Sequence, residues 1–271
     1  MKMSKLWLSG FGILFFLTVN IVSAAEFDHS HSIWSGMLKS YVKIINSGNA
    51  SQVNYAKFKK DEGKLDSYLA KLSSVKQEEF KTWDEKQQLS FLINAYNAFT
   101  VKLILSKYPN LKSIKDLGGF FSSPWKKNFF ELFGEKSNLD HLEHDLIRKK
   151  FKEPRIHFAV NCASIGCPML PNEAFLATSI EEQLENGIRR FLSDRSRNRY
   201  NDEKDVIELS SIFKWYGSDF EKGYLGFKSI SDVAAKYAAL LTNNPKFQAK
   251  VRTGKVKIIF LEYDWKLNSV K

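Results

Sequence analysis

The segment from Asp84 to Tyr108 constrains the fold more than any other part of the chain. Its apolar content is high over a length that suits a long helix, and Asp84 is a residue type that commonly begins one. Such a helix is stable only where other elements surround it. The sequence of 271 residues has only two cysteines, so disulfide bonds cannot replace a hydrophobic core. We therefore expect a central buried helix here, covered by the rest of the chain.

The remaining patterns indicate a mostly helical chain with a few strands. Hydrophobic residues make up 44% of the sequence and charged residues 26%, which excludes a mainly disordered chain and a multi-span membrane protein. Helical spacing predicts further helices, over residues 33–45, 63–72, 138–150, 179–191, 231–241 and 245–251. Short apolar runs predict strands, over residues 155–160, 206–209 and 255–261. We expect an α+β fold in which residues 26–271 form one domain with a small antiparallel sheet.

The first 25 residues have the pattern of a targeting segment. Lys2 and Lys5 precede a mostly apolar run, and small residues that signal peptidase accepts follow at Ser23-Ala24-Ala25. We expect a cleaved signal peptide over residues 1–25, and therefore a periplasmic or secreted protein. A retained N-terminal anchor is the alternative.

The excess of basic over acidic residues indicates a different kind of partner if the protein is exported. The formal net charge is +11, and removal of the two lysines in residues 1–25 lowers it to about +9. Outside the cytoplasm this charge favours an anionic envelope component as partner and not a nucleic acid. A solvated basic surface explains the charge equally well. We expect a monomer.

The richest chemistry lies where the strand predicted over residues 155–160 ends in a polar loop. This loop carries Cys162, and a loop thiol is a nucleophile when a base or a helix N-terminus lowers its pKa. In an extended strand His157 and Asn161 share a face, whereas Cys162 points the other way. His157 therefore reaches Cys162 only if the chain bends near Asn161, and a base from elsewhere is equally possible.

The sequence Glu143-His144 supplies that second candidate base. Glu143 lies beside the apolar stripe of its predicted helix, where a carboxylate needs a partner. It is a candidate for orienting a histidine, as the third member of a catalytic triad does. The alternative is a structural ion pair with an arginine such as Arg155.

The two thiols have three possible roles that the sequence leaves open. Cys162 is a nucleophile in the first. In the second, Cys162 and Cys167 form a disulfide, which an oxidising compartment permits. In the third, Cys162 and Cys167 bind zinc together with His144 and His157, although the spacing lacks the clearer His-x3–5-His pattern of typical structural sites.

Two asparagines in the long apolar helix need partners. Asn94 and Asn97 are three residues apart, so they lie on one side of the helix. Buried amides must be hydrogen-bonded, either to the backbone of a neighbouring loop or to a bound carbonyl or oxyanion. Asp219 and Asp264, embedded in aromatic clusters, are weaker candidates for a pocket.

Several motifs, in this order, resemble the family of domain of unknown function 547 over about residues 80–268. They are Phe91-Leu-Ile-Asn-Ala-Tyr-Asn-Ala98, Leu142-Glu-His144, Arg155-Ile-His-Phe-Ala-Val-Asn-Cys-Ala-Ser-Ile-Gly-Cys-Pro168, Phe213-Lys-Trp-Tyr216 with Asp219-Phe220, and Tyr263-Asp-Trp265. The Cys-Ala-Ser-x-x-Cys-Pro segment is the most specific. The resemblance implies no established activity. It implies that this chain shares the family's recurrent polar positions, at Asn94, Asn97, Glu143, His144, His157, Cys162, Ser164 and Cys167.

The hypothesis that joins these observations is an exported cysteine-dependent hydrolase or acyltransferase. Cys162 is the expected nucleophile and His157 or His144 the base, which Glu143 orients. The expected substrate-binding residues are polar, namely Asn94, Asn97, Asn161 and Ser164, of which Asn94 or Asn161 binds the oxyanion. The substrate is a small molecule or a peptide, and no cofactor is expected. The alternatives are a non-enzymatic envelope binding protein stapled by a Cys162–Cys167 disulfide, and a zinc protein.

Overall fold

A computed structural model describes residues 26–119 and 122–270. The predicted signal peptide lies outside the described residues. The first part of the chain forms an N-terminal helical layer with one hairpin, comprising α1 (Ser32–Tyr41), β1 (Val42–Ile45), β2 (Ala50–Val53), α2 (Tyr55–Lys60), α3 (Glu62–Ser74), α4 (Gln77–Thr82) and α5 (Glu85–Leu105). Within the described ranges, no helix combines the length and the apolar content that crossing a membrane requires.

The middle of the chain is built from short elements. They are the hairpin β3 (Phe130–Leu132) and β4 (Glu135–Ser137), the single turn α6 (Leu139–His141), a π-helical turn (Leu142–Ile147) and a 3₁₀ turn (Pro154–Phe158). The last part consists of α7 (Ile180–Ser193), β5 (Arg199–Asn201), β6 (Val206–Ser210), α8 (Ser211–Trp215), α9 (Ile230–Lys236), α10 (Ala238–Leu241), α11 (Pro245–Arg252) and β7 (Ile258–Leu261). The predicted α+β class is confirmed.

Helix α5 is the central buried helix that the sequence predicts. Asp84 caps it by accepting a hydrogen bond from the backbone N–H of Gln87, and the Gln87 side chain accepts one from the N–H of Asp84. Every residue from Leu89 to Leu105 is buried except Lys102. The ammonium of Lys102 reaches Glu62 of α3 at 2.8 Å. The helix is thus covered by packing on nearly all its circumference.

Two clusters of buried apolar side chains form the interior. The first surrounds α5, and the second is made by α7, the sheet of β5, β6 and β7, and helices α8 to α11. The 3₁₀ turn contributes to both clusters, because Ile156 packs in the first and Phe158 in the second. His157, between them, is therefore held at the junction of the two clusters.

The sheet is only partly antiparallel, which corrects the prediction. The hairpins β1–β2 and β3–β4 and the pair β5–β6 are antiparallel. Strand β7, however, pairs with β6 in parallel, with Ile207 opposite Ile258. A parallel neighbour requires a long crossover, and helices α8 to α11 supply it between these two strands.

The prediction of a strand over residues 155–160 is wrong, because the chain there forms the 3₁₀ turn. Pro154 fixes the first backbone angle of the turn, and the carboxylate of Glu153 accepts a hydrogen bond from the N–H of Arg155 at 2.9 Å. The helix predicted over residues 33–45 ends at Tyr41, where β1 begins. The helix predicted over residues 138–150 is replaced by α6 and the π-helical turn.

Candidate active site

A cavity of about 240 Å³ lies where the two apolar clusters meet. Residues from both clusters and from the loops beside them form its wall. The wall carries ionisable side chains, namely Tyr96, Asp140, Glu143, His144, His157, Cys162, Cys167, Tyr216 and Tyr263. Three tryptophans complete the wall, at Trp125, Trp215 and Trp265. Of the predicted catalytic residues, Cys162, His157, His144 and Glu143 all line this cavity.

The loop after the 3₁₀ turn places Cys162 on the cavity wall. Ala163 adopts a left-handed backbone conformation, with φ of 61°, which turns the chain sharply after Cys162. The Cys162 side chain is partly exposed, whereas Cys167 is buried. The two Sγ atoms are 3.0 Å apart, and the Cys162 Sγ is also 3.0 Å from the hydroxyl of Tyr263.

Hydrogen bonds make the two thiols unequal in acidity. The pKa of Cys162 is lowered, chiefly by hydrogen bonding to the Cys167 thiol and further by Tyr263 and Ser164, against an opposing effect of burial. Burial raises the pKa of Cys167 well above its ordinary value, and the Cys162 charge adds to this. Tyr263 also keeps its proton, because burial raises its pKa. Cys162 is therefore the more acidic thiol of the pair, and its neighbours donate to its sulfur once it ionises.

Asn97 and Asn161 hold the thiol loop by its backbone. The Asn97 amide donates to the carbonyl of Ala159 at 3.0 Å and accepts from the N–H of Asn161 at 2.8 Å. The Asn161 side chain in turn donates to the carbonyl of Pro168 at 2.7 Å and accepts from the N–H of Ala163 at 2.9 Å. These amides are occupied by main-chain groups, so the expected substrate-binding role is corrected to a positioning role.

Asn94 and Ser164 also lie behind the cavity wall. The Asn94 amide pairs with both backbone groups of Phe175, donating at 2.7 Å and accepting at 3.0 Å. Ser164 is buried, and its hydroxyl lies 3.8 Å from the Cys162 Sγ. Neither residue is part of the cavity lining. The backbone alternative considered for the Asn94 amide is the one found.

His157 is fixed by a carboxylate that the sequence ranks low. Its Nε2 lies 2.8 Å from an Asp219 oxygen, and its ring stacks on Tyr216 with centroids 3.9 Å apart. Arg148 and Lys222 bind the same carboxylate at 2.7 and 2.8 Å. Burial lowers the pKa of His157, while the His157, Arg148 and Lys222 donors overcome burial to hold the pKa of Asp219 far below its usual range.

This pairing determines which nitrogen of His157 is free to react. An ionised Asp219 accepts the Nε2–H, so the neutral ring carries its lone pair on Nδ1. Nδ1 is buried and has no hydrogen-bond partner within the described residues. His157 and Asp219 thus have the relation of a base and the group that orients it.

His144 is engaged differently. Its Nδ1 lies 2.6 Å from a guanidinium nitrogen of Arg148, which only donates, so the Nδ1 lone pair is occupied. The other nitrogen is 3.7 Å from Asp140. His144 therefore lines the cavity without an accepting nitrogen as free as that of His157.

Glu143 does not orient either histidine, which corrects its expected role. Nor does it form the alternative ion pair, since Arg155 binds Glu153 and Glu181 at 2.6 Å. The Glu143 side chain is buried in the cavity wall, and its Oε1 has no hydrogen-bond partner among the residues that the structure describes. Burial and the nearby Glu143 charge raise the pKa of Tyr216. A hydrogen bond between the Tyr216 hydroxyl and Glu143 adds to this, so it is Oε1 of Glu143 that is a buried acceptor available to a ligand.

The other two interpretations of the thiols receive less support. Both cysteines are free, so Cys162 and Cys167 form no disulfide staple. In the described part of the chain, no group of three or more His, Cys, Asp or Glu side chains is arranged to hold a metal ion. His144 and His157 instead bind Arg148 and Asp219.

Sequence reasoning missed the partners more than the reactive residues. Tyr263 and Tyr216 belong to aromatic motifs that are more often core than site, and Asp219 is a weak candidate for the same reason. The available signal was the presence of an acid inside each aromatic motif. Only the fold brings Tyr263 to the Cys162 thiol, which lies about a hundred positions earlier in the chain.

The fold and the cavity define an α+β protein with a pair of free thiols in the wall of a cavity that also carries ionisable side chains. A family model described as "Protein of unknown function, DUF547" matches residues 80–192, which include α5, the 3₁₀ turn and the thiol loop. The match covers 113 of the 271 residues, and over them it confirms the resemblance seen in the sequence. The motifs of Tyr216 and Tyr263 lie outside the matched residues. No curated protein and no solved structure matched the chain.

Proposed function

We propose that this protein is a cysteine-dependent acyltransferase or hydrolase in which Cys162 is the nucleophile. One observation carries the proposal: a single cavity holds an acidified, partly exposed thiol and a histidine fixed by a carboxylate. A nucleophile, a base and an orienting acid are the parts that acyl transfer through a covalent intermediate requires.

The chemistry follows from the protonation states. The Cys162 thiolate attacks the carbonyl carbon of an ester or amide, and the bond to the leaving group breaks to give a thioester on Cys162. The thiol has released its proton to water before the attack, and the leaving group takes up a proton from water as it departs. Neutral His157 then takes a proton from the water or amine that attacks the thioester, while Asp219 stabilises the ring.

His157 is favoured over His144 as the base because its lone pair is free. The low pKa of His157 keeps the ring neutral at neutral pH, so it is able to accept a proton. In the absence of a substrate, none of the hydrogen bonds of the described residues joins Cys162 to a histidine. Donors, and not a histidine, acidify the thiol, so the imidazole stays free to deprotonate the water or amine that attacks the thioester.

The cavity also restricts the substrate. Its volume, about 240 Å³, suits one small acyl group and not a whole folded partner. The buried Oε1 of Glu143 needs a donor, which a substrate N–H or O–H would supply. The Tyr263 hydroxyl, 3.0 Å from the nucleophilic sulfur, is placed to donate to an oxyanion. An acyl compound with a hydrogen-bond donor near its carbonyl fits these groups.

The test uses p-nitrophenyl acetate as the acyl donor and mass spectrometry of the intact protein. We expect a burst of nitrophenol and one acetyl group on Cys162, followed by slower turnover. Cys162→Ala abolishes the burst. His157→Gln preserves acetylation but slows deacylation by about 10²–10⁴-fold, the range typical of a lost general base.

Matched variants separate the base from other histidines. His144→Gln changes a cavity histidine, and His141→Gln changes a half-exposed histidine that pairs with Asp145 and does not line the cavity. Both should deacylate within about tenfold of the unmodified protein, a difference of about 1.4 kcal/mol. Acetylation that persists at full rate in Cys162→Ala, or a deacylation rate that is unchanged in His157→Gln, would contradict the proposal.

A further inference from the structure

The two thiols form a contact that acyl transfer does not need. Their Sγ atoms are 3.0 Å apart, and the backbone N–H of Cys162 donates to the Cys167 Sγ at 2.9 Å. The chain has no other cysteine. Both cysteines line the cavity, but Cys162 is partly exposed whereas Cys167 is buried. An accessible thiol backed by a buried one is the arrangement in which one sulfur attacks a disulfide and the other completes the exchange.

The backbone between the thiols is held in place. Ile165 and Gly166 donate to the carbonyls of Lys266 and Asp264, at 2.8 and 2.9 Å, and Ser164 pairs with Leu267. Within the loop, the N–H of Cys167 donates to the carbonyl of Ser164 at 3.1 Å. The contact between the sulfurs is therefore imposed by the fold, and bond formation needs no search by a flexible loop.

We propose that this chain also carries out thiol–disulfide exchange with a small organic disulfide, with Cys162 as the attacking thiol and Cys167 as the resolving thiol. The inference goes beyond the acyl transfer proposed above and shares only Cys162 with it. The unequal acidity of the two thiols, with Cys162 as the thiolate, supports this order of attack.

The exchange balances without a further oxidant. The Cys162 thiolate attacks one sulfur of the substrate R–S–S–R, the S–S bond breaks, and one thiolate leaves and takes up a proton. Cys167 then loses its proton and attacks the Cys162 sulfur, which releases the second R–SH. The substrate disulfide gains two electrons, and the protein dithiol loses two as it becomes a Cys162–Cys167 disulfide.

The cavity selects the kind of disulfide. Its volume accommodates one half of a small compound but no protein segment of any size. Aromatic rings flank the thiol, because Tyr263 packs against Trp265 with centroids 4.5 Å apart, and Trp215 stacks on Trp265 at 5.5 Å. Trp215 is 46% exposed, and the ammonium of Lys115 lies 3.8 Å from the Trp265 ring centroid. A flat, anionic disulfide fits such a wall.

The experiment uses the reduced protein, freed of reductant, and 5,5′-dithiobis(2-nitrobenzoate), whose released thiol is coloured. We expect the unmodified protein to release two coloured thiols per chain and to become two hydrogens lighter. Cys167→Ser should release one and keep a mixed disulfide on Cys162. Loss of that adduct should be on the order of 10²-fold faster in the unmodified protein than in Cys167→Ser. Cys162→Ser should react slowly and release no second thiol.

Two further measurements keep the outcome decisive. Thermal unfolding of Cys167→Ser and of Cys167→Ala identifies a variant that is folded, and acetylation of the unmodified protein by p-nitrophenyl acetate tests acyl transfer separately. A folded Cys167 variant that still forms the mixed disulfide on Cys162 but no longer resolves it supports exchange. An unmodified protein that accumulates a stable mixed disulfide, or one adduct on each cysteine, would overturn exchange and leave acyl transfer standing.

Discussion

At Cys162, hydrogen-bond donors and not a neighbouring cation produce the acidity. Cys167 and Tyr263 both keep their protons and contact the Cys162 sulfur. Charge-assisted hydrogen bonds of this kind stabilise an anion more strongly than bonds between neutral groups do. The thiolate therefore depends on the position of two side chains that lie far apart in sequence.

The sequence predicted the reactive residues but not their partners. Cys162 and His157 were identifiable from a polar loop after an apolar run, because those residue types carry chemistry wherever they fold. Asp219 and Tyr263 were not, since aromatic motifs usually build the core. Glu143 was assigned to orient a histidine because a carboxylate beside an apolar stripe needs a partner. The structure gives it a cavity in place of that partner.

Asp219→Asn tests the group that orients His157. The change preserves size but removes the charge that Arg148 and Lys222 share. We expect slower deacylation and a free energy of unfolding lower by about 1–3 kcal/mol at pH 7. Rapid-mixing kinetics and chemical denaturation measure the two effects.

The stability effect of Asp219→Asn should depend on pH in one direction. The pKa of Asp219 is depressed in the folded protein, because His157, Arg148 and Lys222 donate to it. The contribution of Asp219 to the free energy of unfolding is fully present above the pKa of the unfolded carboxyl, about 3.9. It is lost as the pH falls toward the pKa of Asp219 in the folded protein. The difference between the two proteins should shrink below that pH. A difference that grows on acidification would show that Asp219 is not held ionised by these partners.

Among the elements, α5 and the 3₁₀ turn before the thiol loop differ in how well the sequence predicts them. Helix α5 was predictable because its apolar content and its Asp84 cap agree. The 3₁₀ turn was not, because a turn whose residues divide between two cores is as apolar as a buried strand. The parallel pairing of β7 was also hidden, since a strand's own pattern carries no information about its neighbour's direction.

Gly166 permits the close approach that places Tyr263 at the thiol. A Cβ on Gly166 would lie 3.0 Å from the Tyr263 ring and 3.0 Å from the backbone nitrogen of Asp264. We expect Gly166→Ala to push Tyr263 away, to raise the pKa of Cys162 and to destabilise the fold by about 1–3 kcal/mol. Alkylation of Cys162 at neutral pH should slow accordingly.

Gly36→Ala is the matched control for that substitution. Gly36 lies inside α1, and its added Cβ would meet nothing within 4 Å. Alanine is the better helix former, so this variant should be more stable by about 0.5–1 kcal/mol and should alkylate at the unmodified rate. Equal alkylation rates in both glycine variants would show that Tyr263 does not contribute to the acidity of the Cys162 thiol.

For the whole molecule, we propose that the chain is exported. The proposal rests on the basic, apolar and small-residue pattern of residues 1–25. The protein recovered from its native cell should begin at residue 25 or 26, as N-terminal sequencing would reveal. A chain that begins at Met1 in the cytoplasm would contradict export, and one that begins at Met1 in a membrane fraction would indicate a retained anchor.

The cavity exists only where the two apolar clusters pack together. Tyr96 belongs to the cluster around α5, and Ile212 belongs to the cluster around the sheet, yet both line the cavity. The acidity of Cys162 is thus a property of the assembled fold. Unfolding should make Cys162 and Cys167 ordinary, equivalent thiols.

The rate of iodoacetamide alkylation at each cysteine, measured against pH in the folded and the denatured protein, tests this most directly. The folded protein should alkylate at Cys162 with an inflection below that of the denatured chain, while Cys167 stays unlabelled. Denaturation should bring both cysteines to one common profile. Equal labelling of the two thiols in the folded protein, or an inflection that does not move on denaturation, would contradict an activated Cys162.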